Sequence, residues 1–120
     1  MRRFPENFIV IADDRTMDIA VLKTEPYLIR PLYNETTLIT YSINESANVT
    51  VRILSQNGSA VIKVLEQDVP KTSGTHTVTW DGRTTAGETV TEAGDYRVRV
   101  EAVDAYGKMT IRDGNIRVLY

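Results

Sequence analysis

Along most of this chain apolar and polar residues change places one by one, and a period of two places them on opposite faces of β-strands. The plainest run is 74–80, where His76, Val78 and Trp80 share one face and Thr75, Thr77 and Thr79 the other. Tyr96, Val98, Val100 and Ala102 alternate in the same way with Arg97, Arg99 and Glu101. So do Val49, Val51 and Ile53 with Thr50 and Arg52, Ile39, Tyr41 and Ile43 with Thr40 and Ser42, and Ile116, Val118 and Tyr120 with Arg117 and Leu119. Strands of this kind belong to antiparallel sheets with one face buried and one solvated. The best helical competitor, residues 61–67, is short, β-branched and uncapped.

Turn residues punctuate the strands at short intervals. Asn57-Gly58, ahead of an apolar run over 61–65, reads as a tight hairpin, because both residues tolerate positive φ. Asp81-Gly82 closes the Trp80 strand, and Gly87, Gly94 and Gly107 mark further turns. Pro26, Pro31 and Pro70 are expected between strands, where a missing backbone donor does little harm. About seven to nine strands so spaced predict an all-β, immunoglobulin- or fibronectin-III-like antiparallel sandwich. The expected division is a linking or donor strand segment over 1–24 and the sandwich over 25–120.

A chain of 120 residues suits one domain that buries about two-thirds of its unfolded surface. Its charge of −2 offers no basic excess to neutralise phosphates, so no nucleic-acid partner is expected. The absence of cysteine removes disulfides, thiolate chemistry and sulfur-ligated metals. No apolar run approaches the roughly 18 residues of a membrane-spanning helix. The first residues superficially resemble a signal peptide, but Pro5, Glu6 and Asn7 interrupt them and the apolar run 8–12 is too short. That run reads as a strand, with Met1 a start at a domain edge and any export signal elsewhere.

Residues 7–12, Asn-Phe-Ile-Val-Ile-Ala, echo residues 115–120, Asn-Ile-Arg-Val-Leu-Tyr. Either two edge strands look alike by chance, or the first is the last strand of a preceding repeat or a strand given to a neighbouring subunit. On the second reading Phe8, Val10 and Ile11 form the junction. Apolar on both faces, such a strand is an aggregation hazard unless something covers it.

No catalytic constellation appears. His76, the one histidine, lies in phase with Val78 and Trp80 and reads as a packing residue rather than a base or ligand. There is no Ser-His-Asp arrangement and no Gly-rich phosphate loop after a strand. Glu88, Glu92 and Asp95 cluster near one turn, and Asp13, Asp14 and Asp18 near the start. Either set offers calcium some oxygen ligands, but neither has the regular loop spacing, and solvated turn residues are the better reading. No catalytic residue, metal or cofactor is expected. Trp80, Tyr41 and Tyr96 fall on apolar phases and are assigned to the core. Tyr27, Tyr33 and Tyr106, if aligned and exposed, would instead make a carbohydrate-stacking platform.

Asn34, Asn44, Asn48 and Asn57 each begin an N-glycosylation sequon. With six asparagines and 20 serines and threonines in the chain, chance supplies about one. The alternative is that these residue types are simply common in β-turns. The excess points to the outside of a cell.

The residues of 39–102 carry a family resemblance. It begins with Ile39-Thr40-Tyr41-Ser42-Ile43, continues with 47–53 and Asn57-Gly58, and is most specific in Gly74-Thr75-His76-Thr77-Val78-Thr79-Trp80-Asp81-Gly82-Arg83. Gly87 and Ala93-Gly94-Asp95-Tyr96 complete it. The run resembles the Ig-like domain of the flagellar hook-capping, FlgD-type family, which recurs in secreted and surface proteins. The resemblance implies that Trp80 anchors the core, Asp81-Gly82 turns the chain, Gly94 supplies positive φ and Tyr96 re-enters the core. It also implies an assembly domain without catalytic residues. The hook-capping protein's own amino-terminal region is not found in this sequence, and the stretch often seen ahead of the domain is matched only by Tyr27-Leu28-Ile29-Arg30-Pro31-Leu32, without its calcium-like loop. The expected role is a structural module of an extracellular or cell-surface protein, with neighbouring repeats or identical subunits as partners. The alternative is a carbohydrate- or cell-wall-binding module beside a secreted enzyme.

Overall fold

A computed structural model describes residues 18–90 and 93–119. Among them are eight strands: β1 (Ile19–Glu25), β2 (Leu28–Ile29), β3 (Thr37–Ile43), β4 (Ala47–Leu54), β5 (Val61–Lys71), β6 (Gly74–Trp80), β7 (Gly94–Val103) and β8 (Met109–Val118). The only helical piece among the described residues is a 3-10 turn at Pro31–Tyr33. One sheet runs β1-β3-β6 and the other β2-β8-β7-β4-β5. Every pairing is antiparallel except the short one between β2 and β8. This is the all-β, Ig-like sandwich that the alternation predicts.

The expected division between residues 24 and 25 falls inside β1. That strand runs against β3 from Ile19, opposite Ile43, to Glu25, opposite Leu38, and Ile19 is buried in the core. After Pro26 the chain crosses to the other sheet and lies along the end of β8 as β2. The hairpin at Asn57-Gly58 forms, but β5 continues to Lys71, well beyond the expected 61–65. Pro70, expected between strands, therefore stands within β5 opposite Asn48. It is tolerated because β5 is an edge strand, where an absent backbone donor can face solvent. Asp68 next to this point has φ 52 and gives its N–H to Thr50 Oγ1 at 3.0 Å, and the ladder shifts register beside it. Such a bulge bends an edge away from regular pairing.

The inward phases meet as the period requires. Ile39, Tyr41 and Ile43 of β3 face Val49, Val51 and Ile53 of β4, Val98, Val100 and Ala102 of β7, and Ile116 and Val118 of β8. Among the described residues Thr37 is the buried polar one, and its hydroxyl donates to the Pro26 carbonyl at 2.6 Å. That bond removes the cost of an unpaired buried hydroxyl.

Trp80 closes β6 at 1% exposure. Its ring stands 6.0 Å from that of Tyr96 on the opposite sheet, and its indole N–H donates to the Arg83 carbonyl at 3.0 Å. The chain must therefore bend back at once, and Gly82, with φ +78, makes the bend. A β-carbon there would fall 2.5 Å from Pro31 Cγ, whereas one at Gly87, φ +86, would meet nothing. Gly82→Ala should thus add a clash with a rigid ring to left-handed strain and lose about 2–4 kcal/mol. Gly87→Ala, strained only, should lose about 1–2 kcal/mol. Urea unfolding of the two variants checks the order, and equal losses would contradict the Pro31 contact.

Candidate functional site

Three groups of polar side chains are built by the register of the sheets. The first is the turn after Trp80. Asp81 accepts the Arg83 N–H at 3.1 Å, and Arg83 bridges back to Thr89. Thr84 closes the small hairpin by donating its N–H to the Glu88 carbonyl at 2.7 Å. Val90, buried in the core, donates to the Gly82 carbonyl at 2.9 Å. The Thr85 N–H reaches the Ile62 carbonyl of β5 at 3.0 Å, so one turn ties β6 to the far sheet.

The second group covers the solvent face of the five-stranded sheet. Asp95 lies opposite Arg117, and Arg99 opposite Asp113, in the β7–β8 register. Each pair is bidentate: Arg117 to Asp95 at 2.8 and 3.0 Å, Arg99 to Asp113 at 2.9 and 3.0 Å. Arg97 approaches Asp113 at 4.0 Å, and Arg52 of β4 meets Glu101 at 2.6 Å. The hydrogen bonds from Arg117 and Arg99 hold the Asp95 and Asp113 carboxyls below the usual carboxylate range. The outward charges at 97, 99 and 101 were readable as a solvated face, but their partners depend on a register that alternation alone does not fix.

The third group spans the two sheets at the β5–β6 side. Tyr41, fully buried, donates its hydroxyl to Glu66 at 3.0 Å, and Lys71 holds the same carboxylate at 2.8 Å. Burial first, then the neighbouring carboxylate, raises the Tyr41 phenol well above its ordinary value. The His76 ring lies 5.7 Å from that of Tyr41, and its Nε2 is 2.7 Å from the Thr72 carbonyl, so Nε2 carries the proton. His76 is half-buried and packs in the apolar phase of β6. Tyr41 was expected only as core, and nothing in the local sequence points to its hydroxyl's partner 25 residues away.

The remaining candidates are dispersed. Phe8, Val10 and Ile11, together with Asp13, Asp14 and Glu92, lie outside the described residues. Gly94 opens β7 at φ 138 over the Gln56 side chain, and Tyr96 behind it is buried. Asn34, Asn44, Asn48 and Asn57 are all exposed. Asn57 accepts bonds from Ser55, from the Ser59 N–H and from the Ser59 hydroxyl through its amide oxygen. Tyr27, Tyr33 and Tyr106 are exposed, Tyr106 at 93%. Tyr27 sits at the Arg117 end of β8 and Tyr106 in the turn before Met109, so a ten-residue strand separates them and the three form no single row. Among the described residues no three metal-ligating side chains converge, and no helix is long and apolar enough to cross a membrane.

The described residues thus form an Ig-like β-sandwich whose outer sheet face carries cross-strand ion pairs. The model of the FlgD Ig-like domain matches residues 34–105, more than half of the 120-residue chain, and the chain belongs to that family of non-catalytic structural domains. The match leaves out β1, β2 and β8, which the structure adds to the same sandwich. A search of curated proteins finds no match. Among solved structures, the alkylpurine DNA glycosylase AlkC of Pseudomonas fluorescens, bound to DNA containing an abasic-site analogue, is similar over 87% of this chain at 14% identity and a TM-score of 0.55. This chain spans 30% of that protein, and at such identity the likeness is one of fold.

Two of the groups give measurable effects. Tyr41→Phe removes a hydrogen bond to a carboxylate and should cost about 1–3 kcal/mol in urea unfolding, while a change under a few tenths would place the Tyr41–Glu66 bond outside the stabilising set. Asp113, with its folded pKa lowered, contributes stability that is present above the unfolded value near 4 and lost as pH falls through the folded one. Asp113→Asn should therefore flatten the acid limb of stability below about pH 4 and cost about 0.2–1 kcal/mol at neutral pH, as for an exposed ion pair. Denaturant titrations at pH 2.5 and 7 compare the two.

Proposed function

We propose that this domain is a non-catalytic structural and assembly module of an extracellular or cell-surface protein, repeated in tandem or joined to identical subunits by strand exchange in a filament. One observation carries the reading. The charges on the broad outer sheet face are spent on each other across strands, from Arg117–Asp95 to Arg99–Asp113 and Arg52–Glu101. Opposite charges so paired across strands do not focus a field of one sign on a small charged substrate, which suits a spacing part. Family membership supports the structural role.

Four sequon asparagines, all exposed, support placement outside the cell. The apolar segment with Phe8, Val10 and Ile11 ahead of β1 is the proposed junction with a neighbouring repeat or subunit, and segment 1–24 then contributes both this junction and β1.

Native material decides the matter. Intact mass and peptide mapping should find glycan mass on at least one of Asn34, Asn44, Asn48 and Asn57. Electron microscopy should show the domain in a row of like units. Unmodified mass at all four positions would remove the support for an extracellular setting. A single isolated copy, combined with signal on a glycan array, would replace the assembly role with that of a carbohydrate-binding accessory module.

A further inference from the structure

Across the outer face of the five-stranded sheet, one row of opposed residues carries no charge among the described residues. Pro70 of β5 lies opposite Asn48 of β4, Asn48 opposite Val103 of β7, and Val103 opposite Met109 of β8. Opposed residues put their side chains on the same face. Val49, next to Asn48, and Ala102, next to Val103, are buried, so the row itself points outward. The rows that follow are Thr50–Glu101–Ile111 and Arg52–Arg99–Asp113, where the charges begin.

The uncharged row borders a cleft of about 210 Å³, lined among others by Ala47, Asn48, Pro70, Val103 and Ala105. Sites that hold a free small molecule run to roughly 300–1,000 Å³, so this cleft encloses too little of a free ligand to bind it by contact alone. A group held there needs a second source of attachment. Asn48 supplies one, as the first residue of the sequon Asn48-Val49-Thr50. The other three sequon asparagines are set in turns. Asn34 is left-handed, at φ 62, after the 3-10 turn, and Asn44 accepts the Asp18 N–H at 2.8 Å. Asn57 accepts three donors within its hairpin. Asn48 projects from a strand, exposed, with Pro70 on one flank and Val103 on the other.

We propose that Asn48 carries an N-linked glycan whose first sugars lie in this cleft and cover Pro70, Val103 and Met109. The proposal rests on the extracellular reading above and names the sequon and the seat. In forming the link, the Asn48 amide nitrogen bonds to the anomeric carbon of a sugar activated on a lipid phosphate. The anomeric C–O bond breaks, the lipid phosphate leaves with the electron pair, and the amide nitrogen gives up one proton to a base of the transferase. The C–H face of the pyranose then takes apolar side chains out of water while its hydroxyls stay solvated. Met109 is 53% exposed. It lies two strands from Asn48, roughly 10 Å at ordinary sheet spacing, which a short glycan spans.

Peptide mapping of native material should find glycan mass on Asn48. Met109 then reports the seat, because a covered thioether is oxidised slowly. Its conversion to the sulfoxide by dilute hydrogen peroxide, followed by peptide mass, should run about threefold or more slower in the glycosylated chain than in the same chain after glycan release. Asn48→Gln, unmodified at that position, should match the released chain. Asn57→Gln, beyond the other end of β4, should keep the slow rate. Glycan on other sequons with Asn48 bare would overturn the proposal and leave the extracellular reading standing. Glycan on Asn48 with equal Met109 rates before and after release would overturn the seat. Unmodified mass at all four asparagines would overturn the proposal together with the support for an extracellular setting.

Discussion

The position of one indole governs most of the connections in this sandwich. Trp80 ends β6 in the three-stranded sheet yet packs on Tyr96 of the five-stranded one, so the two layers cannot slide at that end without opening the core. Its N–H needs a partner, because a buried indole donor left unpaired is costly, and the Arg83 carbonyl supplies it only if the chain turns within three residues. That requirement places Gly82 against Pro31, which sets the 3-10 turn between β2 and β3. It also sends the hairpin over Ile62 at the start of β5. One ring thus fixes the ends of β2, β5 and β6, which are remote in sequence.

Polar chemistry in the molecule follows from register rather than from a pocket. The Arg–Asp pairs of β7 and β8 are directly opposed residues, each pair largely solvated and individually weak. Their collective effect is specificity, since a slip of one position along β8 would set charges against the wrong neighbours and turn Ile116 and Val118 outward. The Tyr41–Glu66–Lys71 group does the corresponding task across the layers. Tyr41 is in the three-stranded sheet and its two partners are in β5, so the polar contact pins the spacing of the sheets at an edge where apolar packing thins out. Both groups stabilise geometry by pairing charges across strands or across layers.

Much of the fold was legible because period two is a strong signal when one face is buried. Ile39, Tyr41, Ile43, Val49, Val51, Ile53, Val98, Val100, Ile116 and Val118 all lie in the core on the phase their spacing demands. The turn at Asp81-Gly82 was legible from residue type. Less was available where a strand lies at an edge. β5 shows no clean alternation in its burial, since a bulge at Asp68 resets the phase and Pro70 looks like a terminator when only one neighbour is present. β1 was hidden by its mixed composition, Ile-Ala-Val-Leu-Lys-Thr-Glu, and β2 by its two-residue length. The cross-strand partners of Arg99, Arg117 and Tyr41 were not legible at all, because a partner is a property of register and not of either segment.

The two edges of the larger sheet, β5 and the β8 side with its short β2 partner, are built differently. β5 ends that sheet with a proline, a left-handed Asp68 and several charged side chains, each of which discourages an incoming strand. β8, beyond the two residues covered by β2, carries no proline or bulge and sets Met109 and Ile111 at the rim. The β5 edge is thus the guarded one among the described residues: Pro70 removes a backbone donor from it, and the left-handed Asp68 with its register shift breaks the even row of groups that an incoming strand would need.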